Sequence, residues 1–384
     1  MDLHSTSSTQ SAPDASNLPP AIATRIPPEL LLDIFSIVSG SPSEGSEDYS
    51  ERNRNLKSFA LVHSAWKNSA QKILREEVFI PGTDSGEASK EEVQRIAMLL
   101  LDSKLAGTKY LTVDGHLNEL IANTGYAMWR QVRYLTLWTS SRNDGTTRMS
   151  DFTPFPLLQE LYLEGLNNVK NSLCFDPSDV DLQLPYLRRI TFGGGTIIGV
   201  LSQLGDTDRA EDQDLAGLLP ITHKLFSPSN MPNLVHLALE GYSNALPIYM
   251  ILLDKVLPRL TTLAIWCDDF VIAKLFPENR ILDNLRHLSL TIRSSDISNL
   301  FDHGRWNLQS LHLSSRSATG DKLVFSRLIK IAKGEDPRHR IRRIVIYGKR
   351  KRIETKYEDL VDDLDSFEWR EDELYLPFEN FNGR

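Results

Sequence analysis

The sequence predicts an α/β chain: a short helical segment near the amino end, then an irregular solenoid with a parallel concave sheet and outer helices. Three observations carry this expectation. One apolar phrase recurs between about residues 111 and 347, the segments between its copies carry apolar residues at helical spacing, and residues 24–80 show helical spacing without the phrase.

The chain has 384 residues, 41% of them hydrophobic and 24% charged, enough to bury a substantial core. Residues 1–22 are rich in Ser, Thr, Ala and Pro and hold few large apolar side chains, so they are expected to be a disordered tail. They also lack the apolar stretch of a secretory signal. Residues 23–80 form the expected helical domain. In it Leu30, Leu31, Ile34, Phe35 and Val38 repeat at helical spacing, and Pro27-Pro28 and Glu29 suit a helix start. An acidic Ser/Gly-rich loop over residues 39–54 interrupts the pattern, which resumes with Leu56, Phe59, Ala60, Trp66, Ala70, Ile73 and Leu74.

Residues 81–348 are expected to form the solenoid. "VRYLTLW", "LQELYLEGL", "LRRITFG", "LVHLALEGY", "LTTLAIWCDD", "LRHLSLT", "LQSLHLS" and "IRRIVIY" each place an apolar residue, two variable ones, then apolar, variable, apolar. Their central apolar positions are Leu135, Leu161, Ile190, Leu237, Leu263, Leu288, Leu311 and Ile344, with Leu111 as a weaker first member. Most spacings are 23 to 29 residues; the one from Ile190 to Leu237 is 47, consistent with a degenerate repeat or an insertion. Alternation puts both apolar residues of a short strand on one side, where stacked neighbours bury them. "NALPIYMILLDKVLP" and "DDFVIAKLFPEN" are expected to be outer helices, and "GGGTIIG" (Gly193 to Gly199) a loop beginning a helix. Residues 349–384 mix acidic and aromatic side chains and read as a C-terminal cap or tail.

The net charge of −8 argues against nucleic acid as a partner. The longest apolar patch, Ala245 to Leu253, is about half of the roughly 20 residues a bilayer span needs, so no membrane partner is expected. Cys174 and Cys267 stand alone, without disulfide or zinc spacing. These features suit a cytoplasmic and/or nuclear protein. No nucleophile elbow, phosphate loop or zinc-binding helix motif occurs, so no catalytic residue, metal or cofactor is expected.

The N-terminal motif resembles the F-box, the short helical docking motif of substrate receptors in Skp–cullin–F-box ubiquitin ligases. "IPPELLLDIF" (Ile26 to Phe35) matches the family's opening, and "LVHSAW" supplies Leu61, Val62 and Trp66 of its second half. The resemblance implies that Pro27, Leu31, Ile34, Phe35, Leu61, Val62 and Trp66 face the Skp-type adaptor, and through it a cullin, or brace the motif. The alternative is that they are only the core of a small helical cap. The repeats look like those of leucine-rich-repeat F-box proteins, whose concave sheet holds the target to be ubiquitinated. They lack the usual asparagine at the turn, so an irregular arc is expected, with backbone groups satisfied in other ways.

By strand alternation, Trp138, Tyr162, His236, Trp266, His287 and His312 point outward as candidate target-binding residues, since exposed aromatic side chains are costly unless covered. Cover by long loops or by the C-terminal tail is the alternative for Trp138 and Trp266. The expected protein is a non-catalytic substrate receptor for an unknown target protein; the rival reading is a leucine-rich-repeat scaffold not engaged with a ubiquitin ligase.

Overall fold

The computed structural model describes residues 26–39, 54–61, 64–80, 107–114, 129–138, 147–165, 173–176, 179, 181–193, 198–200, 215–240, 246–266, 283–291, 301, 306–314, 322–347 and 366–370. The tail over residues 1–22, residues 40–53 of the acidic loop and the segment "DDFVIAKLFPEN" lie outside them. The chain divides into two compact units between Glu77 and Val78.

The first unit holds helix α1 (Pro28–Ser39), a helical stretch over residues 54–61, and helix α2 (Ser64–Glu76). Pro28 opens α1, where its missing N–H costs nothing, and Glu29 lies in the first turn against the positive end of the dipole. The Leu31 N–H donates to Pro27 O at 3.1 Å. Leu31 and Phe35, one turn apart, turn inward onto Leu56, Ala70 and Ile73, with Phe59 and Trp66 packed alongside. Phe35 stacks on Phe59 at 4.8 Å and meets Trp66 edge-on at 5.7 Å.

The second unit is α/β and dominated by one large sheet. In chain order its strands are β1 (Glu77–Ile80), β2 (Tyr110–Asp114), β3 (Tyr134–Trp138), β4 (Thr147–Arg148), β5 (Glu160–Glu164), β6 (Leu173–Phe175), β7 (Arg189–Phe192), β8 (Ile198–Val200), β9 (His236–Glu240), β10 (Thr262–Trp266), β11 (His287–Thr291), β12 (Trp306–Leu308), β13 (Ser310–Ser314), β14 (His339–Ile341), β15 (Ile344–Tyr347) and β16 (Phe367–Arg370). Helices α3 (Leu215–Leu225), α4 (Leu246–Val256) and α5 (Lys322–Ala332) lie between them. The large sheet has the order β1-β2-β3-β5-β7-β9-β10-β11-β13-β15-β16 and is parallel throughout from β2 to β16. Two small parallel sheets, β4-β6-β8 and β12-β14, accompany it.

Register follows the phrase. Leu111, Leu135, Leu161, Ile190, Leu237, Leu263, Leu288, Leu311 and Ile344 lie opposite one another in one unbroken row, each at most 1% exposed. The apolar residue two places on forms a second buried row, from Val113 to Ile346. A one-residue slip would turn both rows out to water, which is what fixes the register.

The strand entrances repeat as well. At seven successive steps one backbone carbonyl accepts two N–H groups of the next strand: Lys109 O from Arg133 and Tyr134, Arg133 O from Gln159 and Glu160, and so on to Arg286 O from Gln309 and Ser310. Before this point the chain makes a tight turn in which Leu158, Leu187, Leu234 and Leu260 donate back three residues to Phe155, Leu184, Met231 and Leu257. In each case proline follows the acceptor (Pro156, Pro185, Pro232, Pro258), where its fixed φ suits a turn and no N–H is needed. Asn233 and Asn284 each donate to the carbonyl of such a proline, Pro185 and Pro258, and Arg259 donates to Met231 O and Phe226 O at 2.5 Å each. These contacts satisfy backbone carbonyls at and before the turns.

Three expectations change. Ile190 pairs directly with Leu237, so the 47-residue spacing holds an insertion and not a degenerate repeat of the large sheet. That insertion carries β8 and α3, and α3 packs on β6 and β8. Ile198–Val200, read as leading into a helix, is strand β8, which extends the β4-β6 ladder. The sheet also passes both ends of residues 81–348: Val78 and Ile80 of β1 join its core, and β16 pairs with β15 by placing Phe367 opposite Ile344. "NALPIYMILLDKVLP" does contain a helix, α4. Among the described residues no helix is long and apolar enough to cross a membrane.

Candidate functional site

Two surfaces carry the residues named from the sequence. On the first unit, the motif residues divide by burial. Leu31 and Phe35 are sealed in the local core, and Trp66 is half-buried against Phe35. Pro27 is exposed, Ile34 is 42% exposed and Leu61 is 87% exposed; Leu30, one turn before Ile34, is 52% exposed. Val62 lies outside the described residues. Helix α1 thus has one apolar flank turned inward and a neighbouring one, Leu30 and Ile34, turned to water.

The second surface is the face of the large sheet opposite the leucine rows. Strand alternation brings Trp138, Tyr162, His236, Trp266, His287 and His312 to this one face. Five of them are half-buried and His312 is only 4% exposed. Toward its β3 edge the face is aromatic: Tyr110 stacks on Tyr134 at 4.4 Å, and Phe79 meets Trp138 edge-on at 6.4 Å. Arg189 Nη1 then bonds Glu160 Oε2 at 2.9 Å, and burial raises the Glu160 pKa despite that partner.

The middle of the face is acidic. Glu164 and Glu240 flank Gly193, whose N–H donates to Leu163 O at 2.7 Å. The Tyr162 hydroxyl donates to Glu164 Oε2 at 3.0 Å, and a Cβ on Gly193 would lie 3.0 Å from that hydroxyl and 3.5 Å from Glu240 Oε2. Burial and then the two carboxylates push the Tyr162 pKa up. The indole N–H groups of Trp138 and Trp266 are buried, with no acceptor among the described residues.

Toward β15 the face is basic and linked by hydrogen bonds. His287 Nδ1 is 2.9 Å from Ser310 Oγ, Ser310 Oγ is 3.1 Å from His312 Nε2, and His312 Nδ1 is 3.1 Å from the Tyr347 hydroxyl, whose ring stacks on the imidazole. Solvent cannot reach His312 because Tyr347 and Ser310 enclose it, so its outward position in the register does not present it to a partner. A serine held by an imidazole is the first half of a nucleophilic pair. Here burial and the positive charges of Arg343, His287 and Arg370 hold His312 neutral and oppose proton transfer from Ser310 to it. Among the described residues no group of three His, Cys, Asp or Glu is placed to hold a metal.

His312 gives a pH prediction. Burial first, then the nearby cations, lowers its pKa to about 4 from 6.5. Below pH 6.5 the unfolded chain takes up a proton that the folded chain refuses, so stability is full above pH 6.5 and falls as the pH drops toward about 4. The expected loss is on the order of 3 kcal/mol. Urea unfolding at pH 7, 5.5 and 4 measures it, and His312→Gln should make that slope shallower without abolishing it, because burial also lowers the His236 pKa to about 4; an unchanged slope would refute the assignment.

No family model matches the chain, and no curated protein matches it.

Proposed function

We propose that this chain is a non-catalytic substrate receptor of a Skp–cullin–F-box ubiquitin ligase. Its first unit would dock the Skp-type adaptor, and its sheet, an irregular leucine-rich-repeat solenoid on this reading, would hold a target protein. Its contribution is proximity and orientation of the target, not bond chemistry. The observation that carries the reading is the exposed Ile34 and Leu61 beside a sealed Leu31 and Phe35. These four residues occupy the two halves of the F-box-like motif, and apolar side chains left in water suit a partner that covers them.

The test is capture of a purified Skp-type adaptor by the full-length chain. Wild type should bind, and Ile34→Asp should reduce binding at least tenfold while the melting temperature stays within a few degrees, because Ile34 is not part of the buried cluster. Failure of wild type to bind, or equal binding by the variant, would reject the ligase reading and favour a scaffold.

A further inference from the structure

We infer that the strand-entrance rim of the large sheet takes an extended acidic segment of a partner protein, its carboxylates set against Arg133, Arg188, Arg286 and Arg342. Each of these arginines stands two residues before a member of the long apolar row, ahead of Leu135, Ile190, Leu288 and Ile344. The pairing that aligns the row therefore aligns the arginines too. At Arg133, Arg188 and Arg286 the backbone is also held in the same way, each carbonyl accepting two N–H groups of the next strand, so their side chains leave equivalent positions. Arg133, Arg188 and Arg342 are exposed and Arg286 is half-buried.

Charge is the second observation. Arg189 pairs with Glu160 and Arg343 with Glu368, whereas Arg188 and Arg342, one place earlier, make no ion pair with a described residue, and neither do Arg133 and Arg286. No Asp or Glu stands two residues before any member of the apolar row. The uncompensated field reaches the neighbouring imidazoles: burial, then Arg189, His287 and Arg188, lower the His236 pKa, and burial, then Arg286, lower that of His287. In a chain of net charge −8 the rim is thus a local line of positive charge. Spacing is the third. The four arginines are two, three and two strands apart, which at roughly 4.8 Å per strand is about 10, 14 and 10 Å. An extended chain advances about 3.3 Å per residue, so carboxylates three, four and three residues apart reach all four. A guanidinium suits a carboxylate because its fork of N–H groups matches the two oxygens. A DNA strand carries a phosphate every ~3.4 Å, far denser than this line of cations, and the overall negative charge repels it.

The inference goes beyond the ligase reading and is tested without the adaptor, so the two stand or fall separately. The probe is a labelled, end-blocked peptide of eleven residues with glutamate at positions 1, 4, 8 and 11 in a Ser/Ala background, titrated against the full-length chain. Its affinity should exceed that of the same peptide with four glutamines at least tenfold, and added salt should weaken it. The double variant Arg188→Gln, Arg286→Gln should bind the acidic peptide at least threefold less tightly while melting as wild type does. Arg188→Lys with Arg286→Lys keeps the charge and should recover most of that loss, which a merely structural role of the two side chains would not allow. Equal affinity for the glutamate and glutamine peptides, undiminished binding by the glutamine variant, or no recovery in the lysine variant overturns the inference. So does a single-stranded oligonucleotide of eleven nucleotides that binds as tightly as the acidic peptide, since the rim would then be reading phosphate.

Discussion

Leu263→Ala is expected to lower the unfolding free energy of the sheet unit by about 2–5 kcal/mol. Leu263 lies in the middle of the long apolar row, opposite Leu237 on one side and Leu288 on the other, and is fully buried. Truncation removes three heavy atoms from a site whose neighbours are fixed by strand pairing on both sides, so the void cannot readily collapse. Leu263→Met keeps the volume and should cost less than about 1.5 kcal/mol. Urea titration followed by far-ultraviolet circular dichroism measures both variants, with the midpoint shifting and the slope retained. A loss under about 1 kcal/mol for the alanine variant would mean that this row is not what holds the strands in place.

Phe35→Ala is the second large effect, about 3–5 kcal/mol, and it falls on the first unit. Phe35 touches both Phe59 and Trp66, and the cluster around it has few other buried members: Leu31, Leu56, Ala70 and Ile73. A core this small cannot absorb the loss of its central ring, so α1 and α2 are expected to lose amide protection together. Hydrogen exchange resolved by segment is the measurement. The outcome differs from that of Ile34→Asp, which should leave protection intact and remove only adaptor capture. Full protection of α1 and α2 in Phe35→Ala would show that the cluster is not the unit's core.

The large sheet was legible because its signal is periodic. Leu135, Leu161, Leu237, Leu263, Leu288 and Leu311 repeat in the same local phrase, and the structure aligns them in one row. What was not legible lacks that phrase. β16 reads "FEWR" and β1 "EVFI", each too short and too charged for alternation to stand out, yet both join the sheet because an open edge offers unpaired backbone groups. The small sheets are two or three residues wide per strand, below the length at which a period can be recognised. The repeated apolar-Pro-x-Leu turn was present in the sequence as "FPLL", "LPYL", "MPNL" and "LPRL", and would have fixed the strand starts.

For the candidate site, strand alternation places the six candidate residues on one face, as the register does, but does not give that face's chemistry. Alternation also turns Glu164 and Glu240 outward, but their convergence on Gly193 is not legible, because it depends on register between strands 29 and 47 residues apart at Ile190. His312 was named as outward, but Tyr347 covers it from a neighbouring strand. Facing outward and being reachable are separate properties, and only the second depends on the heights of adjacent side chains.

The uninterrupted pairing of Ile190 with Leu237 across so long an excursion has an evolutionary consequence. Each rung answers only to the rungs beside it, so material can be spliced in or trimmed between rungs without renegotiating the whole stack. The outward side chains can likewise be rewritten singly. Such a frame can change its outward surface through isolated point changes while its interior stays under one constant demand.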